Sequence, residues 1–142
     1  MKPKTLTILL VDDDKVDVMA VKRSFRELKI ANPVVEAHNG IEALDRQRGH
    51  NGHQKLPSPC LVLLDLNMPR MGGVEFLDKL RSDDALRSTL VFVMTTSGAQ
   101  EDRARAYDMN VAGYVLKHRP GQSFLEAISM LEHYWRVIEF PD

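Results

Sequence analysis

Five short apolar runs, separated by amphipathic stretches, constrain this sequence more than any other feature. Leu6 to Val11 is the first and Val34 to Ala37 a weaker second; Cys60 to Leu64, Leu90 to Met94 and Ala112 to Leu116 follow. The first, third and fourth are nearly continuous in Leu, Val, Ile and Phe. A strand with one wet face alternates apolar and polar residues. Continuous runs suit strands covered on both faces, as in parallel sheets.

The stretches between them read as helices. Val18, Val21, Phe25 and Leu28 step by three or four residues and mark one face. Ile41 to Gln47 is shorter, Val74 to Arg81 follows Gly72-Gly73, and Glu101 to Met109 carries Ala104 and Tyr107. Phe124, Ile128, Leu131, Trp135 and Ile138 give the clearest stripe, in a helix over about 121–139. Strand–helix alternation requires right-handed crossovers. The expected fold class is therefore α/β, a doubly wound five-stranded parallel sheet of the flavodoxin-like (βα)5 type. The 142 residues fit one domain over 1–142, large enough to need no disulfide. Gly49 to Pro59 reads as a long, mobile loop. Its His50 and His53 have no carboxylate or cysteine at ligand spacing and read as surface residues.

Composition removes several classes of function. Nineteen Lys and Arg against 20 Asp and Glu leave no bulk positive charge for nucleic acid. The single cysteine, Cys60, opens an apolar run and reads as a small hydrophobe. The basic start (Lys2, Lys4) leads into an apolar stretch too short for a secretory signal, and nothing is long enough for a membrane span. A cytoplasmic location is expected.

In an open parallel sheet, ligands bind beyond the carboxyl ends of the strands, where strand order reverses. Asp12, Asp13 and Asp14 follow the first run; Asp65 and Leu66-Asn67-Met68-Pro69 follow the third. Thr95, Thr96 and Ser97 follow the fourth, and Lys117 the fifth. Each has an ordinary reading. An Asp before Lys15 is a helix N-cap, Asp65 a turn residue, the threonines caps, and Lys117 a surface charge. Three acids in a row exceed what a cap needs. Gathered at one edge, carboxylates, hydroxyls and an ammonium suit phosphoryl transfer. The acids would hold a hard cation such as Mg²⁺, a carboxylate can act as nucleophile, and a lysine can pair with phosphoryl oxygens.

The sequence resembles the receiver domains of two-component response regulators over essentially its whole length. The resemblance rests on Leu9-Leu10-Val11-Asp12-Asp13-Asp14, Leu63-Leu64-Asp65-Leu66-Asn67-Met68-Pro69, Met94-Thr95-Thr96-Ser97 and Gly113-Tyr114-Val115-Leu116-Lys117. It implies that Asp65 is the phosphoacceptor and that Mg²⁺ is held by Asp13, Asp65 and the backbone carbonyl of Asn67, with Asp12 acting partly through water. It makes Thr95 the switch hydroxyl, Tyr114 its aromatic partner, and Lys117 the cation that pairs with phosphoryl oxygens. Such a chain is a signalling unit that catalyses only its own phosphorylation and dephosphorylation. Ala106-Tyr107 and Tyr134-Trp135-Arg136-Val137-Ile138 are similar to response regulators of phytochrome-type histidine kinases. This implies a sensor kinase partner, a bacteriophytochrome, donating from phosphohistidine.

Two departures from the family are visible. Lys117 is followed by His118, with proline only at Pro120, where relatives carry proline directly after the lysine in a cis peptide. Either strain is retained there or the chain takes another path. Gly72 stands where many relatives have an acid, which should loosen the loop. With no DNA-binding segment after the receiver, protein contacts or relay are the expected output. Tyr134, Val137 and Phe140 add apolar surface beyond the last helix's stripe, so a homodimer through the C-terminal region is expected. Two alternatives stay open. In an aspartate phosphohydrolase of the haloacid-dehalogenase type, Asp12-x-Asp14-x-Val16 would make Asp12 the nucleophile. A flavin or nucleotide binder would need a glycine- or hydroxyl-rich phosphate loop where this chain has three acids.

Overall fold

The computed structural model describes residues 5–68, 70–96, 98–117 and 124–141. Strands and helices alternate throughout: β1 (Thr7–Val11), α1 (Lys15–Glu27), β2 (Val34–Ala37), α2 (Gly40–Arg48), β3 (Cys60–Leu64), α3 (Gly73–Ser82), β4 (Leu90–Thr95), α4 (Gln100–Asp108), β5 (Gly113–Leu116) and α5 (Phe124–Val137). All five strands are parallel in the order β2-β1-β3-β4-β5. The flavodoxin-like fold expected from the apolar runs is the one observed. The order reverses between β1 and β3, so the ends of those two strands flank the crevice.

The two-residue period of each strand divides the apolar runs between two cores. Leu9, Val11, Val62, Leu64, Val91 and Val93 face one side with Ala43 and Leu44 of α2, Phe76, Leu77 and Leu80 of α3, and Ala106 of α4. Ile8, Leu10, Leu61, Leu63, Phe92 and Met94 face the other, with Val18, Val21 and Phe25 of α1 and Ile128, Leu131 and Trp135 of α5. Neither face is left to water, which is why the runs are continuous. Cys60 lies at the start of β3, and burial pushes its thiol up to about 12, so it is protonated and unreactive near neutral pH.

Several expectations need correction. On α4 the buried residue is Ala106, while Ala104 and Tyr107 are exposed. That helix is polar nearly all round, so its periodicity is weak. Tyr134 and Phe140 are not spare surface: both pack against the second core, and the Tyr134 ring meets Phe92 edge-on at 4.8 Å. Val137 and Met130 do remain exposed on α5. The loop over 49–59, expected to be mobile, carries backbone hydrogen bonds to α2. The His50 N–H donates to Asp45 O at 2.9 Å, and the Leu56 N–H to Arg46 O at 3.1 Å. In the loop after Asp65 the Gly40 N–H donates to Met71 O at 3.2 Å and the Gly73 N–H to Leu66 O at 3.0 Å. Gly73 is required there, since a Cβ would lie 2.6 Å from Leu66 Cα and 2.8 Å from Asp65 O. The Lys117–His118 peptide, Pro69, Ser97, Pro120 and the Phe124 side chain lie outside the described residues.

Candidate functional site

The parallel ladder continues one residue past β1, β3 and β5 and so sets the spacing of the polar groups. The Asp12 N–H donates to Ala37 O at 3.0 Å, the Asp65 N–H to Val11 O at 2.9 Å, and the Lys117 N–H to Thr95 O at 2.8 Å. Asp12 and Asp65 are thereby fixed on neighbouring strands at the reversal point. Thr95 is the last residue of β4 and fully buried.

The side chains then interlock. The Thr95 hydroxyl donates to Asp65 Oδ1 at 2.9 Å, and the Asn67 N–H donates to the same oxygen at 3.2 Å. Lys117 Nζ donates to Asp12 Oδ2 at 2.7 Å and to Asp17 Oδ2 at 2.8 Å, and stands 3.4 Å from Asp65 Oδ2. The Asp14 N–H donates to Asp12 Oδ1 at 2.9 Å. Asp12, Asp65, Thr95 and Lys117 are the buried polar residues of this edge. Burial holds the Asp12 carboxyl above its ordinary value, reinforced by the charge of Asp65 and opposed by Lys117 and the Asp14 amide. Burial alone would lower the Lys117 ammonium, but its bonds to Asp12 and Asp17 and the field of the carboxylates outweigh that and raise it. Lys117 is a fixed cation.

The acidic triplet is divided by function. Asp14 is the N-cap of α1, its carboxylate accepting from the Val16 and Asp17 amides. The second acid of the phosphohydrolase pattern thus has an ordinary role as a helix cap, and Asp12, the nucleophile of that alternative, is bonded to Lys117. Asp12, Asp13 and Asp65 each place a carboxylate oxygen within 4.8 Å of the others, with Asp13 exposed. Such a set of hard oxygens, open to water on one side, fits a divalent cation of the Mg²⁺ kind. Tyr114 lies on β5 opposite Val93, half-buried against the first core, with the Arg103 guanidinium 5.6 Å from its ring centre. Sequence reading missed Asp17. Its one local signal is its place in the first turn of α1, which otherwise reads as a favourable acid at a helix N-terminus.

The sequence profile of the response regulator receiver domain matches residues 8–129. The chain belongs to that family. Among receiver relatives it is 33% identical over 128 residues to the probable methanogenesis regulatory protein FilR2 of Methanothrix harundinacea, covering 90% of this chain and 82% of that one. The response regulator Rcp1 of Synechocystis is 29% identical, over 90% of this chain and 87% of that one. A solved Mn²⁺-bound form of Rcp1 superposes with a TM-score of 0.86 at 27% identity, over 98% of this chain and all of that one. The phosphorylated cyanobacterial phytochrome response regulator RcpA superposes with a TM-score of 0.88 at 28% identity, again over 98% of this chain and 100% of its own. Receiver domains are signalling units, and phosphorylation and Mg²⁺ binding are typical of the family. Among the described residues of this receiver, no helix is long and apolar enough to cross a membrane.

Proposed function

We propose that this receiver accepts a phosphoryl group on Asp65 from the phosphohistidine of a sensor kinase. The observation that carries this reading is the arrangement around Asp65. One carboxylate oxygen is held by the Thr95 hydroxyl and the Asn67 amide, the other faces the Lys117 ammonium, and Asp12 and Asp13 stand alongside.

Asp65 is the nucleophile. Its Oδ1 is anchored by Thr95 and Asn67, which fixes the carboxylate plane and aims Oδ2 toward Lys117. Lys117 offsets negative charge as the incoming oxygens crowd the carboxylates, and Thr95 turns its single O–H from Asp65 to a phosphoryl oxygen. Mg²⁺ held by Asp13, Asp65 and the Asn67 carbonyl, with Asp12 partly through water, would neutralise charge on both reacting groups. Water attack in the same site returns the free carboxylate, so the chain catalyses only its own phosphorylation and dephosphorylation.

The output is a population shift in which Thr95 and Tyr114 move together and alter the α4–β5–α5 face. The relatives Rcp1 and RcpA support pairing with a phytochrome-type kinase, and the near-neutral charge supports protein rather than nucleic-acid partners. Residues 1–142 act as one receiver in the cytoplasm. Exposed Met130 and Val137 on α5 support a homodimer through the C-terminal region. Intact mass after incubation with Mg²⁺ and acetyl phosphate tests the central claim. Wild type gains one phosphoryl group and Asp65→Asn gains none; an adduct retained on the variant would refute Asp65 as acceptor.

A further inference from the structure

Lys117 engages more carboxylates than pairing with Asp65 requires. Its ammonium has three N–H donors. Two make short bonds, to Asp12 Oδ2 at 2.7 Å and Asp17 Oδ2 at 2.8 Å, while Asp65 Oδ2 is the most distant of the three at 3.4 Å. In the unphosphorylated chain the ammonium leans away from Asp65, toward β1 and α1. We propose that Asp17 is a positioning residue that retains Lys117 in this resting place and releases it when a phosphoryl group arrives on Asp65. The inference rests on the reading of Asp65 as acceptor.

With acetyl phosphate as donor, the P–O bond to acetate breaks and its electron pair leaves with acetate. An Asp65 carboxylate oxygen forms the new bond to phosphorus. Lys117 keeps its proton throughout, so the step needs no proton or redox partner. The product places anionic phosphoryl oxygens beyond the former carboxylate. To turn a donor toward them, the ammonium must lengthen one of its two short bonds. The Asp12 side chain is 3% exposed, and losing its cation would strand a buried charge. The Asp17 side chain is 17% exposed and sits in the first turn of α1, where helix amides and water can take over. Exposure therefore decides which bond yields, and it is the one to Asp17.

The Asp17 charge thus opposes phosphoryl arrival and favours the metal. Without it, Lys117 settles nearer Asp65, draws in the donor's oxygens, and competes with a cation for Asp12 and Asp65. The test is Asp17→Asn in the full chain, which keeps the side chain's shape and removes its charge. Initial rates with acetyl phosphate and Mg²⁺ give KM and kcat separately, and calorimetry without phosphodonor gives the Mg²⁺ affinity. We expect KM to fall about three- to tenfold with kcat changing less than about twofold, and the Mg²⁺ Kd to rise about threefold. Asp17→Glu, which restores the charge, should return both toward wild type. If Asp17 serves only as a first-turn acid of α1, the melting temperature falls while both constants stay at their wild-type values, and the proposal is overturned. A wild type that takes no phosphoryl group overturns the acceptor reading and this inference with it. A wild type that does, beside an indistinguishable Asp17→Asn, overturns the role of Asp17 alone.

Discussion

In β1 the residues Thr7 to Val11 are all buried, and the four after Thr7 are apolar; the next residue, Asp12, is just as buried and charged. The same change occurs from Leu64 to Asp65, and Lys117 is likewise buried and charged after the half-buried Leu116. The interior of the sheet and its carboxyl edge are thus adjacent regions built on opposite principles. The interior gains stability from apolar area removed from water. The edge gathers like charges that repel one another and are held by one ammonium and a few hydrogen bonds. The difference shows where this receiver has traded stability for chemistry, and it implies that substitutions in the two regions act in opposite ways.

The largest stability effect belongs to the interior. Phe76 is fully buried on α3 beneath the sheet, and Phe76→Ala should destabilise by about 3–5 kcal/mol in urea unfolding. Molecules that remain folded should still gain the phosphoryl group. A loss smaller than about 1 kcal/mol would mean that the first core is looser than its burial implies.

At the edge the sign reverses. Asp13→Asn removes one of three clustered carboxylates. It should weaken Mg²⁺ binding at least about tenfold by calorimetry, while unfolding stability stays level or rises by about 0.5 kcal/mol. A clear loss of stability would break the comparison, because Asp13 would then be structural.

The smallest effect sharpens the boundary between the regions. Glu42, in the first turn of α2, accepts from the His38 N–H at 2.7 Å and contacts the His38 ring at 3.0 Å. Its modest burial pushes the carboxyl up, but those bonds and the charges of His38 and Arg46 outweigh this and hold it below its ordinary value of 4.5. A carboxyl depressed by folding contributes stability that is present above 4.5 and is lost as pH falls through the lower folded value. The stability difference between wild type and Glu42→Gln should shrink as pH falls below 4.5, by less than about 1 kcal/mol. A difference that grew on acidification would reverse the sign of the coupling.

Much of this was legible locally. The bounds of β3 follow from its apolar run because both faces of that strand are covered, while β2, a half-buried edge strand, shows as the weaker run. Asp12, Asp65, Thr95 and Lys117 could be placed at one edge because parallel strands end on the same side. Periodicity failed where the pattern is thin. With Ala106 as its buried residue, α4 offers little apolar stripe to read, and Tyr134 and Phe140 could not be told from surface without knowing that the second core reaches them.

The sequence by itself determined the architecture and the identity of the edge residues, since strand and helix periods and strand-end chemistry are properties of neighbouring residues. Only the tertiary structure decided how the three adjacent acids divide their work, with Asp14 capping α1 while Asp12 turns to Lys117. It alone brought Asp17 to Lys117 across 100 residues of chain. Nothing in the local pattern of α1 distinguishes an acid that faces the helix dipole from one that holds an ammonium arriving from the end of β5. That distinction is made by the sheet, which fixes where the strands end.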